Sequence, residues 1–329
     1  MVPTDVLYLG KSGTGWGPID ALVDLCVQTF DAQLIPSPDA GAIGRVRRAA
    51  ARIPSKPRGD RVLLAIAANP AQIAAAARIQ HWLPGYGVRI LWIIDSFWTD
   101  RAPRFAREGH FDHVFITDKD LVAEWREITG RPVHWLPWGS DTLAVRGAPE
   151  KTVDLLRLGR QPEAWDDDAQ TAALAERRGL AFKGRPPLFE DGRKNQEVVR
   201  AALAEARTVL TFSNLVSPAD YVHPTREYLT GRWMDALAAG TIPVGVTPAS
   251  AAWTLWDGAT VEISHSDPEA GLDRLRQFLE SEWSPALAEE TRTTARRTID
   301  WRLRLAELSS ITGQSLSPGI RTEISHLGA

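Results

Sequence analysis

The chain has 329 residues, of which 44% are apolar, and its formal net charge is −3. This length predicts a large core and two domains, and the slight acidity argues against a general nucleic-acid-binding protein. The single cysteine excludes an intrachain disulfide and a cysteine-based metal cluster. Because the chain starts with no leader pattern and has no apolar run of about 18 residues, we expect a cytoplasmic protein without a membrane-spanning helix.

Strand-like and helix-like stretches alternate over the first half of the chain. The predicted strands are DVLYLG, RVLLAIAAN, VRILWIID and FDHVFITD, and the predicted helices are PIDALVDLCVQTF, PAQIAAAARIQHWL and KDLVAEWREITG, before PVHWLPWGSD closes the half. This alternation predicts βαβ units and a parallel sheet.

A second alternating series begins near residue 149. Its predicted strands are TVDLLRLGR, LAFKG, RTVLTFS and TIPVGV, its predicted helices are DAQTAALAERRG, QEVVRAALAEA and GRWMDALAAG, and GLDRLRQFLES and TRTTARRTIDWRLRLAELSSI follow as terminal helices. The predicted fold class is therefore α/β, with two Rossmann-like domains facing across a cleft. Parallel sheets bind ligands beyond the carboxyl ends of their strands, so the cleft is the expected site.

A glycine-rich stretch, LGKSGTGWGP, follows the first predicted strand. A P-loop would need glycine at position 5, which is Asp5, and a dinucleotide fingerprint would need glycine at position 18, which is Pro18. Two interpretations stay open: a tight strand-to-helix turn, or a loop whose backbone approaches a ligand closely.

The segment from Arg45 to Arg61, RVRRAAARIPSKPRGDR, is strongly basic. It is either a solvated helix face and loop or a patch that meets anionic lipid headgroups or an anionic acceptor. The second interpretation predicts peripheral membrane contact through residues 45–61.

The stretch HPTREYLTGRWMDALAAGTIPVG, residues 223–245, has the pattern of a ligand-binding turn. Thr230 and Gly231 precede a helix whose first turn offers free N–H groups to a diphosphate. Arg226 and Arg232 lie close by in sequence and can add charge-assisted hydrogen bonds to phosphate oxygens.

This stretch resembles the nucleotide-sugar site of GT-B glycosyltransferases, above all the large retaining family four and the bacterial spore-coat glycosyltransferase-like branch. The family pattern Glu-x7-Glu followed by Ala-x-Ala-x-Gly-x-Pro-Val reads here as Glu227-x7-Asp235 followed by ALAAGTIPV, with one extra residue before proline. VHWLPWGSD (133–141) and LLRLGR (155–160) resemble two further family segments in the same order, so the resemblance covers most of the chain.

The resemblance implies a role for each matched residue. Asp235 would bind the ribose hydroxyls, Glu227 would approach the donor sugar as a catalytic group, and Arg160 would neutralise the leaving diphosphate. The nucleotide-sugar site would further include His223, Arg226, Tyr228, Leu229, Thr230, Gly231 and Arg232. A lysine usual in the family after the arginine is missing, and Lys183 or Arg232 is expected to supply its charge.

The opposite wall of the cleft is expected to come from the first half of the chain. Asp95, which ends a predicted strand, is a second catalytic candidate that would contact the acceptor or the sugar, although a capping role fits equally. Gly13, Thr14, Gly15 and Trp16 are expected to form an acceptor loop. The predicted domains are an acceptor domain (1–148), a nucleotide-sugar domain (149–300), and a C-terminal helix and tail (301–329) that packs back on the first domain.

The implied activity is metal-independent, retaining transfer of a hexosyl-type sugar from a nucleoside-diphosphate sugar to a small-molecule, glycan or protein acceptor. No cofactor or metal is expected, because the nearest acidic run, Asp166 to Asp168, is interpreted as a helix start. Two alternatives stay open: a GT-B sugar-nucleotide epimerase or hydrolase, and a non-catalytic GT-B-like binding protein.

Overall fold

The structure, a computed structural model, describes residues 2–10, 16–37, 59–78, 85–145 and 150–328, together with positions 49, 53 and 83. The first half of the chain builds a six-stranded parallel sheet in the order β2-β1-β3-β4-β5-β6. Its strands are β1 (Thr4–Tyr8), β2 (Gln33–Ile35), β3 (Arg61–Ala67), β4 (Tyr86–Ile93), β5 (His113–Ile116) and β6 (Val133–Trp135).

The second half builds a five-stranded parallel sheet in the order β11-β10-β9-β7-β8. Its strands are β7 (Val153–Arg157), β8 (Phe182–Lys183), β9 (Ala206–Phe212), β10 (Ile242–Val246) and β11 (Val261–Glu262). The two sheets confirm the prediction of two Rossmann-like α/β units, because every strand pair is parallel and the strands alternate with helical crossovers.

Nine α-helices are present in the described part of the chain. They are α1 (Gly17–Phe30), α2 (Val122–Thr129), α3 (Asp168–Glu176), α4 (Gly192–Glu205), α5 (Gly231–Ala238), α6 (Pro268–Ser281), α7 (Pro285–Thr298), α8 (Trp301–Thr312) and α9 (Pro318–Leu327). Acidic or serine N-caps begin several of them; Asp167, for example, accepts hydrogen bonds from the amides of Ala169 and Gln170 at the start of α3.

Three stretches differ from the sequence-based expectation. Residues Pro70–Arg78 form a 3-10 helix instead of an α-helix. The long terminal helix breaks into α7 and α8, because Asp300 leaves the helical conformation and its carboxylate caps the amide of Arg302. The short strands β2 and β11 and helix α9 were not predicted.

The last two helices pack on the first half of the molecule. Trp301 and Leu305 of α8 share an apolar core with Leu22 of α1 and Trp92 of β4. The backbone supports this contact, since the Ser140 amide donates to Ile299 and the Trp301 amide donates to Ser140. The domain boundary at residue 148 lies within 146–149, outside the described residues, and stays a prediction.

None of the described helices combines the length and the apolar composition needed to cross a bilayer. Most of the basic segment 45–61 lies outside the described residues, so membrane contact through it also stays a prediction.

Candidate functional site

Each sheet has a point where the strand order reverses, and ligands of α/β folds bind beyond the strand ends at such points. In the first sheet the reversal lies between β1 and β3, and in the second between β7 and β9. The loops that leave these four strands therefore define where a ligand of either half is expected.

Three arginines gather at the reversal point of the second sheet. Arg160 Nε donates to the backbone oxygen and the Oγ of Ser217, which ties the loop after β7 to the loop after β9. Arg232 Nη1 donates to the Leu158 oxygen at 3.0 Å, and Arg185 Nη2 donates to the Gly159 oxygen at 3.1 Å. Sequence reasoning missed Arg185 because it lies outside the matched motif.

The positive charges of Arg160 and Arg232 lie close enough to repel each other. Burial, together with the positive charge of Arg160, lowers the pKa of Arg232 to about 10. A partly buried cation beside a like charge favours an anionic partner, because an anion would relieve both the desolvation and the repulsion. The arrangement therefore suits a phosphate group.

Two helix N-termini meet beside this cluster. A Cβ atom placed on Gly231, the first residue of α5, would lie 3.6 Å from Pro18 in the first turn of α1. Thr230 is the N-cap of α5, and its buried Oγ1 has no hydrogen-bond partner among the described residues. The positive ends of two helix dipoles thus face one region of the cleft, a position that favours an anionic group.

Of the predicted acceptor loop, only Trp16 lies in the described part of the chain. It precedes α1 as the N-cap residue and is partly buried against the core. Gly13, Thr14 and Gly15 lie outside the described residues, so their expected role stays a prediction.

Glu227 lies between the loops that leave β9 and β10. Its Oε1 accepts from the Ser213 hydroxyl, and its Oε2 accepts from the Ala249 amide at 3.1 Å. These two donors hold the half-buried carboxylate in one orientation.

Asp235 has a different environment. It is only 4% exposed, its Oδ1 accepts from Ser140 Oγ at 2.6 Å, and its Oδ2 accepts from Gln196 Nε2 at 2.7 Å. Burial raises the pKa of this carboxyl group. Both carboxylate oxygens of Asp235 already accept hydrogen bonds below the cleft. A ribose hydroxyl could bind Asp235 only by replacing Ser140 or Gln196 as a donor.

Arg226 does not reach the arginine cluster. Its Nη1 donates to the Phe97 oxygen at 3.2 Å and to Thr99 Oγ1 at 3.0 Å, and its Nη2 forms an ion pair with Glu124 at 3.1 Å. All three partners belong to the first half of the chain. The arginine therefore joins the two halves instead of pointing to the expected phosphate position.

Aromatic rings extend this contact between the halves. The Tyr228 ring stacks on Phe97 with centroids 3.6 Å apart, and the His223 ring lies 4.8 Å from that of Trp98. Nδ1 of His223 accepts from the Arg226 amide, and burial lowers the pKa of this histidine. His223 and Tyr228 thus position the loop before α5.

Two further predicted residues lie away from the cleft surface. Lys183 Nζ forms an ion pair with Glu205 at 2.7 Å, at the outer edge of the second sheet, so the structure does not bring it to the arginine cluster. Leu229 is buried in the core that joins the halves and can offer a ligand only its backbone.

The acidic run near residue 167 has a structural role. Asp167 caps α3, while Asp166 and Asp168 both pair with Arg157. Within the described residues, no group of three or more His, Cys, Asp or Glu side chains could hold a metal ion.

Asp95 follows β4 and faces the same cleft from the first half of the chain. Its half-buried carboxylate has no hydrogen-bond partner among the described residues, and burial raises its pKa to about 7. The carboxylate of Asp95 interacts electrostatically with the Tyr228 hydroxyl. Arg160 and Arg232 interact with the same hydroxyl from the other wall of the cleft. Asp95 and the arginines therefore lie on opposite sides of one site, with Tyr228 between them.

A small aromatic pocket of ≈ 20 Å³ opens at one side of this site. Its walls come from both halves and include Phe97, Trp135, Trp138, Tyr228 and Trp253. The ammonium group of Lys119 lies 4.1 Å from the Trp253 ring centroid and 5.2 Å from that of Trp135. The high tryptophan content was the only sequence signal for this pocket.

Neither a family model nor a curated protein sequence matches this chain. Solved structures do match. HepE from Anabaena, in a crystal structure with UDP and glucose, superposes with a TM-score of 0.56 over 94% of this chain and 99% of HepE, at 12% identity. Sucrose-phosphate synthase from Thermosynechococcus elongatus gives a TM-score of 0.55 over 95% of this chain and 98% of its own, at 10% identity.

A glycosyltransferase from Rickettsia africae gives a TM-score of 0.55 over 94% of this chain and 97% of its own, also at 10% identity. These matches extend across both sheets. The chain has the GT-B fold. In this GT-B chain the arginine cluster and the Asp95 wall lie on the two faces of the cleft between the sheets.

Proposed function

We propose that this protein is a glycosyltransferase that moves a sugar from a nucleoside-diphosphate donor to an acceptor. The observation that carries the proposal is the arginine cluster at the reversal point between β7 and β9, next to the N-termini of α1 and α5. A diphosphate is the ligand that this combination of guanidinium groups and helix dipoles favours.

The same groups suit the chemistry of sugar transfer. As the anomeric C–O bond breaks, negative charge accumulates on the departing diphosphate and positive charge on the sugar. In this proposal Arg160 and Arg232 would stabilise the negative charge on the diphosphate, and Glu227 would stabilise the oxocarbenium-like sugar. Preorganised charges of this kind lower the barrier without having to move during the reaction.

Uridine-diphosphate sugars are the first candidates for the donor. The structure of HepE contains UDP and glucose, and the fold matches over nearly the whole chain. We therefore propose UDP-hexoses as the first donors to test, followed by GDP-, dTDP-, CDP- and ADP-sugars.

Ligand-induced stabilisation tests the proposal directly. A ligand that binds only the native state at 100 times its Kd raises the free energy of unfolding by about 2.7 kcal/mol, so the true donor must raise the Tm. We expect Arg232→Met to weaken binding of the nucleoside diphosphate by about 10- to 100-fold, because one charge-assisted contact is lost.

Arg178→Met is the matched control, since this arginine pairs with Asp273 on α6, away from the cleft. It should leave the affinity for the nucleoside diphosphate unchanged. A flat thermal response of the wild-type protein across all five nucleotide classes would overturn the proposal.

Three finer properties are proposed with this function, and of these only the retained configuration follows from the resemblance to the retaining family. Transfer should persist in EDTA, because arginines supply the positive charge. The product should keep the anomeric configuration of the donor, which proton NMR of the first product formed would reveal. The reaction should take place in the cytoplasm, on a small-molecule, glycan or protein acceptor.

The two alternative functions, an epimerase or hydrolase and a non-catalytic binding protein, can be distinguished by whether the donor is consumed. An epimerase or hydrolase would consume the donor at full rate with no acceptor present. A non-catalytic binding protein would bind nucleotide sugar and leave it intact with every acceptor.

A further inference from the structure

Two polar side chains on the cleft wall of the first sheet lack the partners that such groups normally have. The Tyr8 hydroxyl is buried and makes no hydrogen bond, and the Asp95 carboxylate accepts none, within the part of the chain that the structure describes. The Tyr8 hydroxyl is fully buried, and buried polar groups are nearly always hydrogen-bonded. An unpartnered hydroxyl beside an unpartnered, half-buried carboxylate at a ligand cleft points to a ligand that supplies the missing bonds.

The backbone brings these two groups to the same edge of the sheet. Tyr8 is the last residue of β1, Asp95 follows β4, and β3 runs between the two strands. The Asp95 amide donates to the Ala68 oxygen just beyond the end of β3, so the residues lie on either side of one short strand end.

The ring of Tyr8 is held in place by a close approach of the backbone. A Cβ atom on Gly10 would lie 2.6 Å from the Tyr8 ring, so a larger residue there would displace the ring. The carboxylates of Asp20 and Asp95 both act on the tyrosine, and together with burial they raise its pKa, so Tyr8 keeps its proton. The hydroxyl is therefore a permanent hydrogen-bond donor.

The charge around this pair determines which ligand it can accept. A phosphate or carboxylate would be repelled by the Asp95 carboxylate. An ammonium group would be attracted, but it could not accept the hydrogen bond that Tyr8 offers. A neutral group that both donates and accepts satisfies the pair, and adjacent hydroxyls of a sugar are such a group.

We propose that Tyr8 and Asp95 form a subsite for two neighbouring hydroxyls of a sugar, one donating to the Asp95 carboxylate and one accepting from the Tyr8 hydroxyl. The inference rests on the proposed function, because it places a sugar opposite the arginine cluster. The sugar is either that of the donor or that of a glycan acceptor, since both have the same chemistry.

Isothermal titration with conservative variants separates these sources. UDP and UDP-glucose are titrated into the wild-type protein, Tyr8→Phe and Asp95→Ala; the other nucleotide classes replace them if another donor is found. If the subsite holds the donor sugar, affinity for the nucleotide sugar falls by about 3- to 10-fold in Tyr8→Phe and about 10- to 100-fold in Asp95→Ala. Affinity for the nucleoside diphosphate stays the same.

If the subsite holds the acceptor sugar, both nucleotide affinities stay the same. In that case free monosaccharides and methyl glycosides, titrated at millimolar concentration into the UDP-loaded protein, bind more weakly to both variants by the same factors. Equal affinities of wild-type protein and both variants for nucleotide sugars and for free sugars would overturn the inference. If the wild-type protein binds the free sugars but no nucleotide, the proposed function is overturned. The sugar subsite can then still be tested by comparing the affinities of the wild-type protein and the two variants for free sugars.

Stability distinguishes a ligand-binding tyrosine from a structural one. Removing a hydroxyl that makes no hydrogen bond costs little, so Tyr8→Phe should keep or raise the Tm. Tyr86→Phe is the matched control, because Tyr86 donates to Asp5 at 2.7 Å at the opposite end of the same sheet. It should lower the Tm and leave sugar affinity unchanged, whereas a fall in Tm for Tyr8→Phe as large as that for Tyr86→Phe would assign Tyr8 a structural role.

Discussion

At the scale of single residues, the two acids of the matched motif have separate tasks. Glu227 is held by one hydroxyl and one amide at the cleft, whereas Asp235 is buried and joins Ser140 of the first half to Gln196 of the second. Aspartate is one methylene shorter than the glutamate of the family pattern. With that shorter side chain, the Asp235 carboxylate stays with its two buried donors below the cleft.

The spacing of these acids could be read from the sequence, but their environments could not. Hydrogen-bond partners such as Ser140 and Gln196 lie far from Asp235 along the chain, and only the packing of α4 and α5 brings them together. For the same reason the sequence could not show that Arg226 contacts Glu124, or that Arg185 donates to the Gly159 oxygen next to Arg160.

The raised pKa of Asp95 should make the free energy of unfolding decrease as pH rises. Its folded-state pKa of about 7 lies above the ordinary 3.8, so the folded protein holds a proton that the unfolded chain loses. Stability from this group is therefore greatest below about pH 4 and declines as pH rises to about 7. Asp95→Asn removes the ionisation, so its Tm should rise relative to that of the wild type across this range and remain higher above it.

Thermal unfolding of both proteins at pH 4, 5.5, 7 and 8 measures this difference. The difference in Tm should grow up to about pH 7 and then level off. Parallel pH profiles for the two proteins would contradict the assignment of a raised pKa to Asp95.

At the scale of elements, the loop between β9 and α5 connects the two halves at the cleft. It contributes Arg226 to the ion pair with Glu124, Tyr228 to the stack on Phe97, and Glu227 to the site between these contacts. The carboxylate of Glu227 is thus placed by a loop whose position depends on the first half of the chain. The placement of Glu227 therefore depends on contacts between the two halves.

Arg226→Ala tests this coupling. Without the guanidinium the loop loses its contacts to Phe97, Thr99 and Glu124, so transfer should slow by about tenfold while affinity for the nucleoside diphosphate stays within about twofold. Steady-state kinetics with the donor found by thermal shift, together with titration of the diphosphate, measure both quantities.

A double-mutant cycle with Glu124→Ala supplies the control. Because both side chains are about one-third exposed, their coupling in the free energy of unfolding should be about 0.5–1 kcal/mol. A loss of diphosphate affinity as large as that expected for Arg232→Met would instead return Arg226 to the phosphate site.

The elements themselves followed from the sequence where they are long and regular. The apolar runs of β3, β4 and β9 and the apolar periodicity of α1 and α4 predicted their type, since burial on both sheet faces or on one helix face imposes these patterns. Strands β2 and β11 have only three and two residues, too few for a periodic signal. The break before α8 depends on Asp300, whose capping role appears only once its partners are in place.

At the scale of the whole molecule, a buried ionic network fastens the C-terminal helices to the first half. Arg302 of α8 pairs with Asp141 after β6, with Asp300 before α8, and with Glu323 of α9. Asp300 is 0% exposed and also accepts from the amide and the hydroxyl of Thr142. The chain thus crosses back from the second half to the first and is fixed there by charge as well as by the apolar core around Trp301.

Arg302→Met should destabilise the protein by about 3–5 kcal/mol, because it leaves the Asp300 carboxylate buried without a cation. Urea unfolding followed by far-UV circular dichroism measures this loss. The matched control is Arg276→Met, which removes an exposed ion pair with Glu280 on α6 and should change stability by about 0.5 kcal/mol or less.

The double variant Asp300→Asn with Arg302→Met separates charge from packing. If the cost of Arg302→Met comes mainly from an unpaired buried charge, replacing that charge by an amide should recover part of the lost stability, so the two effects are not additive. If the double variant is less stable than the sum of the two single losses predicts, the network stabilises the C-terminal helices through its hydrogen bonds and not through charge compensation.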